Sequence, residues 1–171
     1  MDLKNDEGTE KRTSTTGDSI LTPDTSTVMG EDPNYSRRSE PPWPGNTYKI
    51  FEKGRNRAIT LTKDGGLCLQ NPDKHPDVND RWQCVDSNNY IGFYNPKARV
   101  YMGHDGNDGI RASAVVLKGW EQMTPRHHPD GGYQLLMPYW STTMMMVTAE
   151  EDGGKVMRTR HGTTLWQFVP V

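Results

Sequence analysis

Arg81-Trp82-Gln83-Cys84-Val85, Gly119-Trp120-Glu121-Gln122-Met123 and Leu165-Trp166-Gln167-Phe168-Val169 are versions of one segment, and each ends a stretch of about forty residues. A period of that length constrains the fold more than any single motif. A repeated unit of this size cannot bury its apolar face alone and must pack against its copies. Trp43 and Trp140 fall outside the pattern, so the block repeats, not merely the residue type.

The blocks open alike, at Tyr48-Lys49-Ile50-Phe51, Tyr90-Ile91-Gly92-Phe93 and Tyr133-Gln134-Leu135-Leu136, with starts 42 and 43 residues apart. Each opening is a short aromatic and aliphatic run of the kind found in strands. A second apolar run follows in each: Ala58–Thr62, Arg99–Met102 and Met144–Thr148. Then comes an acidic glycine turn, Asp64-Gly65-Gly66, Asp105-Gly106-Asn107-Asp108-Gly109 or Asp152-Gly153-Gly154. Asp-Gly supplies positive φ at low cost, as a tight hairpin requires. A third run leaves the turn and the tryptophan segment closes the block. No stretch keeps a 3.6-residue apolar period, and Gly and Pro interrupt every candidate helix. The Met144–Met146 run reads as a strand apolar on both faces.

Three blocks of four short strands predict an all-β protein with the β-trefoil architecture: a six-stranded barrel closed at one end by three hairpins, with pseudo-threefold symmetry. A propeller also repeats four-stranded units but needs at least ~4 blades. The expected boundaries are a tail over 1–44 and a trefoil over 45–171, with repeats at about 46–87, 88–130 and 131–171. Trp82, Trp120 and Trp166 are expected to fill equivalent core positions, each burying ~150–250 Å².

Residues 1–44 hold eight apolar side chains, twelve Ser or Thr and five Pro. Such a segment buries too little to offset its ordering entropy, and disorder is expected. Within it, Ser36-Arg37-Arg38-Ser39 matches what a basophilic kinase reads, although a solvated linker has the same composition. Trp43, between prolines, is expected to pack on the underside of the domain, with a peptide-like docking element as the alternative. The chain is 32% apolar and carries a formal net charge of −2. That balance lacks the basic footprint of a nucleic-acid or anionic-membrane partner. No apolar run approaches a membrane span of ~20 residues, and the first residues lack the apolar core of a signal peptide. A cytoplasmic, non-inserting protein is the expectation.

Ala98–Ala112, with Arg99-Val100-Tyr101-Met102 running into its Asp-Gly turn, resembles the fascin-type repeat; Arg57–Leu61 with Asp64-Gly65-Gly66 is a weaker copy. The closing tryptophan strands resemble those of ricin-B-type lectins. That family's signature is Gln-x-Trp, whereas Asp80, Lys118 and Thr164 stand two before the tryptophans here. The resemblance covers 46–171 and concerns topology. Its families bind galactose-like sugars, bundle actin or, in other trefoils, inhibit proteases, and fold does not choose among them.

Catalysis requires a nucleophile, a base and an orienting group that converge. The five histidines are scattered, and adjacent His127 and His128 on an extended segment point apart. Asp105–Gly109 lacks the later ligands of a calcium loop, including a Glu at the twelfth position. Cys84 shares a strand face with Trp82, and Cys68 should face away from Leu67 and Leu69, so two free thiols are expected. No catalytic residue, metal ligand or cofactor is assigned. The expected function is binding, with a glycan as the leading ligand and a protein, through a fascin-like or inhibitor surface, as the alternative. Tyr139, Trp140, Asn71, Asp73, Asn88 and Asn89 are the candidate ligand-binding residues, because aromatics stack on sugar faces while acids and amides bond hydroxyls. Trp140 leads, since the repeat does not require it. The Asn71–Asp80 loop is the inhibitor candidate.

Overall fold

The computed structural model describes residues 37–76, 78–152 and 154–171. Twelve strands run through them: β1 (Thr47–Glu52), β2 (Ala58–Leu61), β3 (Leu67–Gln70), β4 (Trp82–Ser87), β5 (Tyr90–Asn95), β6 (Val100–His104), β7 (Ile110–Ala114), β8 (Thr124–His127), β9 (Tyr133–Tyr139), β10 (Thr143–Ala149), β11 (Val156–Thr159) and β12 (Trp166–Pro170). One 3₁₀ turn, Gly119–Glu121, precedes β8. Each block contributes four strands.

The pairing closes a ring. β12 pairs with β1, β1 with β4, and β4 with β5. Ile91 of β5 bridges Met123 just ahead of β8, β8 pairs with β9, and β9 meets β12 at Tyr133 and Trp166. The remaining strands form hairpins β2–β3, β6–β7 and β10–β11. The bridges Gly66–Arg111, Cys68–Lys155 and Gly109–Met157 join these hairpins around the pseudo-threefold axis. The protein is a β-trefoil.

Equivalent positions of the three blocks fill the core. Ile50, Phe93 and Leu135 form one fully buried set. Phe168 is a hub: Phe93 stacks on it at 5.6 Å, with Tyr48 and Tyr133 edge-on at 6.0 and 5.6 Å. Trp82 and Trp166 are both 0% exposed. Their indole nitrogens donate to the carbonyls of Ile59 and Val147, each at 2.9 Å. The matching bonds satisfy polar groups that burial would otherwise strand.

The second block departs from the expected symmetry. Trp120 lies in the 3₁₀ turn, 55% exposed, and Met123, 0% exposed, takes the core position instead. Ile91 and Met123 exchange backbone hydrogen bonds of 2.9 and 2.7 Å, so Ile91, not Tyr90, matches Tyr48 and Tyr133. The physical reason lies at Gly92, whose outer face is covered by Leu117 so closely that a Cβ there would overlap it. That contact fixes the phase of β5. A one-residue slip would reverse every side chain on the strand.

Residues 37–44, assigned to the tail by composition, lie against the barrel. β12 meets β9 only at Trp166, which leaves the outward backbone groups of Phe168 unpaired by strand. Ser39 Oγ accepts from Phe168 N at 3.0 Å, and Glu40 N donates to Phe168 O at 2.9 Å. Buried backbone groups need such partners. Tyr48 Oη accepts from Trp43 N at 3.0 Å, and the Arg37 guanidinium lies 3.9 Å from the centroid of the Phe51 ring. Within this strap Pro42 is the buried residue, and Trp43, expected on the underside, is 70% exposed. The reading of 1–36 as disordered, with Ser36 of the kinase-like motif, lies outside the described residues.

Candidate functional site

Two large aromatics emerge where blocks two and three meet. The β9–β10 hairpin turns at Trp140, which is 82% exposed and holds φ +55. Left-handed backbone is strained for a residue with a bulky Cβ, at ~1–3 kcal/mol. Thr143 Oγ1 donates to Tyr139 O at 2.8 Å and fixes the turn. The Tyr139 and Trp140 rings meet edge to face at 6.2 Å. From the second block, Trp120 stands over Gly106, which turns with φ +95; a Cβ there would approach the indole to 3.3 Å. An open cleft of about 430 Å³ lies between, lined by His104, Gly106, Gly119, Trp120, Pro138, Tyr139, Trp140 and Arg158.

His104 stacks on Trp120 with ring centroids 4.6 Å apart. Its Nδ1 accepts from Gly106 N at 3.0 Å. That bond assigns the proton of the neutral ring to Nε2. Burial of the ring and the nearby Arg158 charge hold its pKa below the ordinary imidazole value, and Asp105 offsets part of the effect. His104 is therefore a neutral donor at pH 7. Arg158 is 3% exposed. Its Nε donates to Asn107 O at 2.6 Å, and its guanidinium carbon lies 5.5 Å from the Tyr139 ring centroid, as does that of Arg160. The side chains of the cleft thus offer flat apolar faces and hydrogen-bond donors. None is a carboxylate.

Of the six residues singled out in the sequence, Tyr139 and Trp140 line this cleft and the other four lie elsewhere. Asn88 and Asn89 are the two central residues of the β4–β5 turn, with φ +52 and +70. These angles are what a two-residue hairpin needs, and Asn meets them readily. Asn71 Oδ1 accepts from Asp73 N at 2.9 Å, and the Asp73 carboxylate accepts from Asn56 Nδ2 at 2.6 Å and pairs with Arg37 at 3.8 Å. The front of the Asn71–Asp80 loop is thereby tied to the strap. Sequence reasoning missed Trp120, His104 and Arg158. A signal for Trp120 was present: Trp82 and Trp166 are followed two residues later by Cys84 and Phe168, but Trp120 by Gln122, which breaks the inward alternation.

No protein-family model matches the chain, and no curated protein matches it in sequence. Solved structures do. The GH43 β-1,3-galactosidase BT0265 superposes with a TM-score of 0.63 at 17% identity, over 78% of this chain and 28% of that one. The designed threefold-symmetric protein ThreeFoil gives 0.61 at 14% identity, over 73% of this chain and 99% of that one. The Polyporus squamosus lectin, bound in its structure to Neu5Acα2-6Galβ1-4GlcNAc, gives 0.58 at 17% identity, over 74% and 49%. The chain spans 28% of BT0265 and 32% of an endo-β-galactosidase from Clostridium perfringens. At such identities the likeness is one of fold, and what the chain shares with these proteins is a β-trefoil.

Proposed function

We propose that this protein binds carbohydrate, without catalysis, in the cleft between its second and third blocks. The observation that carries the reading is the pair of exposed indoles, Trp140 and Trp120, facing one concave surface with Tyr139 and several donors around it. Binding sites are concave, mostly apolar and aromatic, with a few placed polar groups. A pyranose has the matching anatomy: C–H faces for the rings and hydroxyls for the donors. The strain held at Trp140 fits the same reading, since strained residues concentrate at ligand clamps.

A glycan array probed with wild type and with Trp140→Ala, Trp120→Ala and Trp43→Ala tests the proposal. A central aromatic contact is worth ~2 kcal/mol, or about 30-fold in affinity. Both cleft variants should lose binding by that order, while Trp43→Ala, which removes an exposed tryptophan outside the cleft, should bind as wild type does. A blank array, or binding that survives both cleft variants, overturns the proposal.

A further inference from the structure

The cleft contains a cation in a position that the fold reserves for core residues. Strand register pairs Ile59 with Leu69, Met102 with Ala112 and Val147 with Arg158. Leu69 and Ala112 are buried members of the core. The third block puts a guanidinium where the other two put aliphatic groups. His104 is a second case: Leu61 pairs with Leu67, His104 with Ile110 and Ala149 with Val156. Two apolar positions of the repeat have thus become polar, and both face the same cleft.

A buried charge is costly unless paired. Two other cations have carboxylate partners: Lys49 meets Asp80 at 2.9 Å and Arg57 meets Glu52, and both are less deeply buried than Arg158. Among the described residues Arg158 has no carboxylate partner and only its Nε has a hydrogen-bond acceptor. The Tyr139 ring faces it as a cation–π partner but brings no negative charge. Asp105, next to His104, spends its Oδ1 on the backbone N–H groups of Asn107 and Gly109 within the turn. Arg160 adds a second, more exposed cation on the same ring.

We infer that the ligand of this cleft is an acidic saccharide, whose carboxylate or sulfate pairs with Arg158 and Arg160 while its ring lies against Trp140 and Trp120. The inference rests on the carbohydrate reading and narrows it. A planar guanidinium recognises either oxyanion through paired N–H donors, and His104 Nε2–H supplies a neutral donor beside them.

Titration calorimetry with the full chain tests it, using a uronic-acid trisaccharide, a sulfated trisaccharide, neutral trisaccharides of the same linkages and inorganic sulfate. At least one acidic trisaccharide should bind ten-fold or more tightly than its neutral counterpart, and which one does so identifies the oxyanion. Raising salt should weaken the acidic ligand selectively. Arg160→Gln, on an exposed side chain, should cost the acidic ligand three- to ten-fold and the neutral sugars less. Arg158→Lys keeps the charge but loses the fork, and should cost more. Equal binding of acidic and neutral sugars overturns this inference and leaves the carbohydrate reading standing. Binding of neither overturns both. Inorganic sulfate binding as tightly as the sulfated sugar overturns the saccharide and leaves only an anion site.

Discussion

Replacing the three repeat tryptophans one at a time should give two large losses of stability and one small one. Trp82 and Trp166 are wholly buried, so each removes ~150–250 Å² from water. At ~25 cal/mol per Å² that is about 4–6 kcal/mol. Measured Trp→Ala changes in cores fall at ~3–5 kcal/mol. The variant also strands the carbonyl of Ile59 or Val147, which loses its indole donor; an unmade buried bond adds ~1–3 kcal/mol. A loss of about 4–6 kcal/mol is expected for Trp82→Ala and Trp166→Ala, a third or more of the stability of a domain held by ~5–15 kcal/mol. Trp120 is more than half exposed, and its ring contacts are His104 and Gly106. Trp120→Ala should cost under ~1 kcal/mol, as surface changes do. Met123→Ala, at the true third position, should cost ~2–5 kcal/mol. Urea unfolding followed by circular dichroism reads all four, with an unchanged slope showing that stability itself has moved. If Trp82→Ala fails to fold, Trp82→Phe keeps the comparison, since it still loses the bond to Ile59. Equal losses at Trp120 and Trp82, or a harmless Met123→Ala, would refute the register assigned to the second block.

Two titratable groups give further tests. Burial pushes the Cys84 thiol up to about 12, with Asp86 adding to the effect, and burial also raises Cys68. At pH 8 in native conditions iodoacetamide should therefore modify Cys68 slowly and Cys84 only as fast as the protein unfolds, and prompt uptake of two equivalents by mass spectrometry would contradict that. His104 has a folded pKa held below 6.5 by burial and by Arg158, so the unfolded chain takes up the proton first and stability should fall as pH drops from 6.5 toward the folded value. Melting curves of wild type and His104→Asn at pH 7.5 and 5.0 should show the larger acid loss in wild type, and equal losses would count against it.

The blocks were readable because Trp82 and Trp166 mark the same place in two of them, and because the Asp-Gly turns divide the strands between. The phase of the second block was not. In Tyr90-Ile91-Gly92-Phe93 a strand with Tyr90 inward has as good a pattern as one with Ile91 inward. What decides is Leu117 over Gly92, a contact between a connecting segment and a strand. The strap is a similar case. Its composition resembles that of a disordered tail, and its order comes from the open backbone groups of Phe168, which no local pattern reveals. Trp140 could be found in the sequence because the repeat has no use for it. Arg158 could not, because an Arg near the end of a short strand reads as solvent-facing, and its partner Asn107 belongs to another block.

Pseudo-symmetry gives the cleft its meaning. A trefoil built of identical blocks has three equal surfaces, and a residue that departs from the repeat makes one of them different. Four of the departures fall together. Trp120 has left the core position that Met123 fills, and it stands over the turn at Gly106. His104 replaces the apolar Leu61 and Ala149 of the other blocks, and Arg158 replaces Leu69 and Ala112. Trp140 sits strained at the tip of one hairpin. Each change costs stability: a lost aromatic anchor, a half-buried imidazole, a buried guanidinium with no carboxylate beside it, a left-handed tryptophan. All four line one cleft between two blocks, and a proposed recognition site is where such costs in stability would be tolerated.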